Sequence, residues 1–329
     1  MQLSTAEVDG AAGRLMPPSV LSRFRADLAR LCAPDARLGL AVSGGPDSLA
    51  LLLLAHASGA AIEAATVDHR LRPEAAEEAQ FVARLCGQWG IRHTILPLQH
   101  PPSGNISAWA RHARYAALED WRAAHGLDVL VTAHHADDQL ETIIMRLNRG
   151  AGLAGVAGIR AQRDRIVRPL LGWRKAELTA LVEAAGITPV DDPSNKDDRF
   201  DRARLRKALA QADWLDPVAA SKSAHALGSA EAALAWAATQ EAERRISKTA
   251  KGSLKLDPQD LPFELLRRLV RDCLCQIAPD STPRDDELHR LIARLEAGEV
   301  ATLAGVKAAG GQYWQFTKVA PPRPIKRNS

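Results

Sequence analysis

Residues 38–55 read LGLAVSGGPDSLALLLLA, and this stretch decides the fold. Leu38 to Val42 is a short apolar run of strand character; Ser43 to Gly45 is a tight turn; Pro46 opens a helix in which Leu49, Leu51, Leu52, Leu53 and Leu54 leave no polar face. A strand, a glycine turn and a helix apolar on all sides are the parts of a buried crossover between parallel strands. Three further β-rich runs, Ile62 to Val67, Arg92 to Leu96 and Val129 to Thr132, alternate with helical patterns. One of those patterns opens at Pro73 with Glu74, Glu77 and Glu78 in its first turns. The alternation predicts an α/β architecture, a doubly wound parallel sheet whose ligand site lies at the carboxyl ends of the strands.

The 329 residues suggest about two domains on a prior of roughly 150 residues each. From Asp137 a helix runs to about Asn148, followed by a glycine-rich turn, a basic stretch and a helix from Trp173 to Ala185 closed by Gly186. After Asp213 the pattern turns mainly helical, broken at Pro217, Pro258, Pro262 and Pro283. The expected division is 1–214 for a nucleotide-binding α/β domain and 215–329 for a mainly helical domain. Val300 to Leu303 and Gln312 to Phe316 read as a small hairpin, and Pro321 to Ser329 as a basic tail.

Hydrophobic residues at 46% fit a globular chain, whereas aromatics at 4% argue against a base-stacking sheet for RNA. Lys and Arg (43) against Asp and Glu (39) leave only +4, so a polyanion must be met by local clusters. Cys32, Cys86, Cys273 and Cys275 form no C-x-x-C pair, which argues against a disulfide framework, zinc knuckle or iron-sulfur site and suits a reducing cytoplasm. The longest apolar run, Leu49 to Ala55, is far short of the ~20 residues that span a bilayer, and Glu7 and Asp9 stand where a signal peptide is basic. The expectation is a cytoplasmic protein with no membrane partner.

Ser43, Gly44, Gly45, Pro46, Asp47 and Ser48 combine close backbone approach, two hydroxyls and a helix N-terminus, an anion cradle suited to phosphate. The lysine-bearing G-x-x-x-x-G-K-[ST] loop occurs nowhere. Gly150 to Gly155 formally matches G-x-G-x-x-G but follows a helix instead of a strand, and reads as a flexible connector. At the end of the fourth strand, Thr132 to Thr142 carries His134, His135, Asp137, Asp138 and Glu141. The i,i+3 and i,i+4 spacing puts these carboxylates on one face at a helix N-terminus, a pocket suited to a cation. Helix capping explains one or two of the acids, and metal binding by His134, His135, Asp137 and Asp138 is a rival. Basic residues cluster as Arg111 and Arg114 beside Tyr115 on a helix from about Ser107, as Arg160, Arg163, Arg165 and Arg168, and as a row of Arg199, Arg202 and Arg206. Together they suggest contacts to phosphate.

These residues carry a resemblance. Ser43 to Ser48 resembles the SGGxDS pyrophosphate loop of the PP-loop ATPases. Within that superfamily Val67 to Arg72, Trp109 to Tyr115, the DDQxET core of His134 to Thr142, Arg168 to Leu171, and Asp191 to Asn195 continuing to Asp201-Arg202 look like the tRNA(Ile)-lysidine synthetase family. The match covers about residues 37 to 210. Two positions depart from it: Arg70 stands where the family usually has glycine, and Ala203 where it usually has asparagine.

The resemblance implies a two-step reaction on the wobble cytidine of an isoleucine tRNA with a CAU anticodon. The ring oxygen attacks the α-phosphate of ATP and releases pyrophosphate; the ε-amine of L-lysine then displaces AMP to give lysidine. It implies pyrophosphate at Ser43 to Ser48, Mg2+ near Asp47, the lysine ammonium between Asp138 and Glu141, and a phosphate of the adenylate or tRNA at Arg111 and Arg114. Arg202 and Arg206 are expected along the tRNA-facing edge, and a carboxylate or His134 is the candidate base for the amine. A tRNA thiolase, a metal-dependent phosphoesterase and a non-catalytic tRNA-binding protein are the competing readings. The oligomeric state, a homodimer included, is left open.

Overall fold

The computed structural model describes residues 16–70, 74–99, 106–190, 201–249 and 252–319. Pro73, Leu71, Arg72, Asp191 to Asn195, Arg199 and the tail Pro321 to Ser329 lie outside the described residues. The chain divides into two compact units, Met1–Gly228 and Ser229–Ser329. That division falls inside one helix, 14 residues beyond the 214 read from sequence.

In the first unit the elements run α1 Pro18–Ala29, β1 Leu38–Ala41, α2 Pro46–Ala57, β2 Ile62–Asp68, α3 Glu74–Gln88, β3 His93–Pro97, α4 Ile106–Ala124, β4 Val129–Val131 and α5 Ala136–Leu147. They continue through α6 Leu153–Val156, β5 Gln162–Arg163, β6 Ile166–Val167, α7 Lys175–Ala184, α8 Asp201–Leu209 and the start of α9 Pro217–Arg245. The sheet order is β3-β2-β1-β4-β6-β5, parallel except for β5, which pairs antiparallel with β6. Strand order reverses between β1 and its neighbours β2 and β4, the switch point at which open α/β sheets bind ligands. The four strands read from sequence are present within a residue or so of their expected ends. The sheet gains β5 and β6, two-residue strands too short to show a pattern.

Both faces of the sheet are covered. On one, Leu38, Leu40 and Val42 pack with Leu49 to Ala55 of α2, Phe24 of α1, Val82 of α3, and Leu178 and Val182 of α7. On the other, Ala65 and Leu130 pack against Leu118 and Trp121 of α4. Gly39 faces α4, and a Cβ there would come within 2.8 Å of the Trp121 ring, so the central strand needs its glycine for this layer to close. The helix expected from Trp173 starts at Lys175; Trp173 is instead a buried anchor whose indole N–H donates to Asp27 at 3.0 Å. Arg70, in the position the family fills with glycine, keeps the turn with φ 52°, supported by its N–H donating to Asp68 Oδ1 at 2.9 Å. A side chain in that left-handed region costs about 1 kcal/mol.

The second unit comprises the remainder of α9, α10 Phe263–Ile277 and α11 Asp285–Glu296, with strands β7 Ile246–Lys248, β8 Leu254–Leu256, β9 Val300–Leu303, β10 Val306–Ala309 and β11 Trp314–Lys318. Helix predominates, as expected, but the hairpin expectation is corrected. Val300–Leu303 and Trp314–Lys318 do not pair with each other: β10 lies between them in a five-stranded sheet ordered β7-β8-β11-β10-β9. Val306, Ala308, Trp314 and Phe316 turn inward onto Leu269, Val270 and Leu288 of the helices.

Candidate active site

The turn after β1 is built by its own serines. The Ser43 N–H donates to Ser48 Oγ at 3.1 Å, Ser48 Oγ donates to the Gly45 carbonyl at 3.0 Å, and the two hydroxyl oxygens lie 3.2 Å apart. Gly44 has φ 85°, and its carbonyl accepts from the Val190 N–H at 3.0 Å. Gly45 stands at the N-cap of α2 with no side-chain cap, so the first-turn N–H groups remain available to an anion. Asp47, in that first turn, points one carboxylate oxygen at His135 Nε2 (3.4 Å); its Oδ1 is buried with no hydrogen-bond partner among the described residues.

One strand away, the segment after β4 gives each polar residue a distinct task. His135 is buried at the N-cap of α5, in a reciprocal capping arrangement with Asp138, and its Nε2 lies 3.5 Å from Asp138 Oδ2. Burial opposes the charge of this ring, but its hydrogen bond to Asp47 and the fields of Asp138, Asp47 and Asp137 outweigh it and raise its pKa. Asp137 Oδ2 lies 3.7 Å from His135 Nδ1 and accepts from the Lys175 N–H at 2.7 Å, fixing the start of α7. Gln139, missed in the sequence as a functional position, pins the segment that follows α5. Its Nε2 donates to the Ile159 carbonyl (2.9 Å) and its Oε1 accepts from the Ile159 N–H (2.6 Å). With Arg146 donating to the Gly158 carbonyl at 3.0 Å, it makes the Gly150 to Gly155 region an anchored turn containing α6, where the sequence suggested a flexible connector.

Asp138 and Glu141 share a face, as their spacing requires, and that face meets α8. Arg206 Nε donates to Glu141 Oε1 at 2.6 Å and Arg206 Nη2 to Asp138 Oδ1 at 3.4 Å; Arg202 Nε lies 3.1 Å from Glu141 Oε2 and its Nη2 donates to Thr142 Oγ1 at 3.1 Å. Arg202 and Arg206, expected along an edge facing tRNA, therefore turn their guanidinium groups onto the carboxylates. Burial works against the Arg206 charge, yet Glu141 and Asp138 raise its pKa above the ordinary value. Ala203, at the other departure from the family, is buried in α8.

Arg111, Arg114 and Arg168 present the opposite case. Among the described residues none of the three has a carboxylate at ion-pairing distance. Arg111 and Arg114 lie over the Tyr115 ring at 5.4 and 5.6 Å from its centroid. The basic run Arg160 to Arg168 separates on folding: Arg163 and Arg165 are exposed, whereas Arg168 is 7% exposed and donates Nη1 to the Arg160 carbonyl at 2.8 Å. Burial lowers the pKa of both Arg114 and Arg168, and Arg111 lowers it further in each.

His134 sits beside this group, its Nδ1 2.9 Å from Thr132 Oγ1. Burial, reinforced by Arg168, Arg114 and Arg111 against an opposing Asp138, lowers its pKa to about 3. His134 is therefore a neutral ring at neutral pH. It turns to Thr132 while His135 turns to the aspartates, and no set of three or more His, Cys, Asp or Glu among the described residues is arranged to hold a metal ion by itself. The cysteines stand elsewhere, and burial pushes the Cys86 and Cys273 thiols up to about 12.

Residues 20–213 match the PP-loop domain family. A tRNA(Ile)-lysidine synthase of Novosphingobium aromaticivorans is 48% identical over 315 residues, covering 93% of this chain and 96% of that protein. One from Zymomonas mobilis is 45% identical over 299 residues, covering 88% and 90%. Among solved structures, the U34-tRNA thiolase NcsA of Methanococcus maripaludis shares the fold with a TM-score of 0.50 at 16% identity, over 68% of this chain and 78% of that one.

Proposed function

The chain belongs to the tRNA(Ile)-lysidine synthase family of PP-loop proteins, and on that premise we propose how its own residues perform the reaction. The protein uses ATP to join L-lysine to the wobble cytidine of CAU-anticodon tRNA(Ile), through an adenylylated base, with release of pyrophosphate and AMP. The observation that carries the residue assignment is the single His135 ring between Asp47 of the glycine loop and Asp138 of the carboxylate pair, at 3.4 and 3.5 Å. That spacing supports a nucleotide and a cation held side by side.

Ser43, Gly44, Gly45, Pro46 and Ser48 bind the pyrophosphate end of ATP through backbone N–H groups and hydroxyls. The orphaned buried Oδ1 of Asp47 fits Mg2+, which takes one or two carboxylates and completes its shell with phosphate oxygens and water. When bound, that cation offsets the charge of the pyrophosphate. Arg111 and Arg114 face the phosphorus under attack, where the ring oxygen of cytidine forms a bond as the bond to the bridging oxygen breaks.

Asp138 and Glu141 receive the ε-ammonium of lysine, and Arg202 and Arg206 keep the pair aimed before it arrives. The amine must lose a proton to attack the ring carbon. His134, with its pKa lowered to about 3, is too weak a base for that step, and a carboxylate of the pair that receives the ammonium is the base this reading assigns. The second unit supplies the larger tRNA contact, and the reaction takes place in the cytoplasm without a membrane partner. No helix among the described residues is long and apolar enough to cross a membrane.

The order of events gives the test. With ATP and CAU-anticodon tRNA(Ile) but no lysine, the protein releases pyrophosphate and holds an adenylylated tRNA; adding lysine releases AMP. Pyrophosphate release that requires lysine from the outset would contradict the adenylylated intermediate. Release with elongator methionine tRNA at an equal rate would contradict the substrate.

A further inference from the structure

Arg168 is the least exposed member of the unpaired arginine group, and its setting is unusual for a structural arginine. It sits immediately after β6, with a residual exposure of 7%, yet its Nε is buried without a hydrogen-bond partner. A buried guanidinium left partly unsatisfied loses several kcal/mol unless an anion completes it. The group lying against it is Tyr115, whose buried hydroxyl accepts from the Arg168 side chain and keeps its own O–H free to donate. Arg114 lies over the same tyrosine ring. A buried phenol and two cations with no carboxylate among the described residues therefore converge where β4 and β6 end.

We propose that Arg168, Tyr115 and Arg114 form a second phosphate site, distinct from the Ser43–Ser48 loop, which holds the phosphoryl group of the adenylyl moiety. This inference rests on the reaction proposed above and assigns residues to one of its steps. Splitting ATP between its α- and β-phosphates leaves two anions that depart at different times, so an enzyme that keeps an adenylylated intermediate gains from two separate cradles. The loop after β1 and the end of β6 are two strand spacings apart, about 10 Å, with β4 and His134 between them.

Charge accounting then gives Arg168 its step. In the adenylylated base the phosphorus carries one negative charge, as a phosphodiester. When the lysine nitrogen bonds to the ring carbon, the carbon–oxygen bond breaks, and AMP takes the electron pair and leaves as a monoester with a second charge. A fixed guanidinium and a phenol O–H at that oxygen gain interaction energy as this charge develops, with no reorganisation. The lysine proton passes to the base and not to this site. Arg168 thus acts on the departure of AMP more than on the binding of ATP.

The test compares AMP with inorganic pyrophosphate as equilibrium probes on the full chain. Arg168→Gln is expected to weaken AMP binding at least tenfold while pyrophosphate binding stays within twofold. It is also expected to slow AMP release from preformed adenylylated tRNA on addition of lysine by about a hundredfold. Arg168→Lys, which keeps the charge but not the fork, recovers part of the AMP affinity. Tyr115→Phe, which removes only the hydroxyl, weakens AMP several-fold and covers the case in which Arg168→Gln fails to fold.

Equal loss of AMP and pyrophosphate binding in the folded Arg168→Gln protein would overturn the proposal, as would loss of neither. Weakened tRNA binding with unchanged AMP affinity would also overturn it and assign the pocket to a backbone phosphate. AMP discrimination as expected in a protein that transfers no lysine would leave the pocket standing and remove the reaction proposed above.

Discussion

Two arginine groups near the ends of β4 and β6 have opposite surroundings. Arg202 and Arg206 on α8 meet Glu141 and Asp138 at 2.6 to 3.4 Å, whereas Arg111, Arg114 and Arg168 meet no carboxylate among the described residues. The first group has its charge matched within the chain, so an ammonium that enters there must share the two carboxylates with the two guanidinium groups. The second is a surplus of charge held in place by burial and by one tyrosine, and it calls for an anion from outside. A reaction that brings a lysine ammonium to a nucleotide needs both environments a few ångströms apart. The lesson is that a row of arginines has no function until its partners are known.

The largest expected effect separates the two pockets by substrate. Asp138→Ala should lower lysine incorporation about a hundredfold, the worth of one charge-assisted hydrogen bond, while ATP affinity changes less than twofold. Equal losses in lysine use and ATP affinity would erase the distinction. Next comes stability. Glu141→Ala leaves Arg206 and the more exposed Arg202 without their shared partner and should cost about 2 kcal/mol by denaturant unfolding. Arg111→Gln, which removes an unmatched charge, should stay within about 0.5 kcal/mol while abolishing activity. A large destabilisation from Arg111→Gln would make the second group structural.

The unmatched charge should also be visible in the pH dependence. His134 has a folded pKa of about 3 against an ordinary value of 6.5. Between those values the unfolded chain binds a proton that the native protein refuses, so stability falls as pH drops through that window. The slope is up to about 1.4 kcal/mol per pH unit. His134→Gln should flatten it, and an unchanged slope would place the titration elsewhere. The smallest effect belongs to an arginine outside both groups: Arg70→Gly should relieve the backbone at φ 52° and stabilise the protein by about 0.5–1 kcal/mol.

Much of this was readable before the fold was known, and the boundary between legible and illegible is physical. Leu38 to Ala55 announces itself because strand, turn and buried helix are local patterns, and the same locality puts Asp138 and Glu141 on one face. The partners of those carboxylates were not readable, since Arg206 lies 65 residues from Glu141 in sequence and only the packing of α8 on α5 joins them. Arg168 was visible as a basic residue among four, but its burial depends on a two-residue strand that carries no periodicity. Gln139 had no signal beyond its place in a motif; its task is set by Ile159, 20 residues on. In the second unit β10 was missed because Val306–Ala309 is four residues long with two alanines, too little alternation to separate it from a turn.

The most direct test of the central claim is transfer of radiolabelled lysine to CAU-anticodon tRNA(Ile) with ATP and Mg2+, with elongator methionine tRNA as control. The account predicts ATP-dependent label on the isoleucine tRNA alone, with one AMP and one pyrophosphate released per lysine attached. Absence of label in a protein that still splits ATP with another RNA would contradict it, leaving the adenylylating fold and assigning the acidic pocket to a different nucleophile.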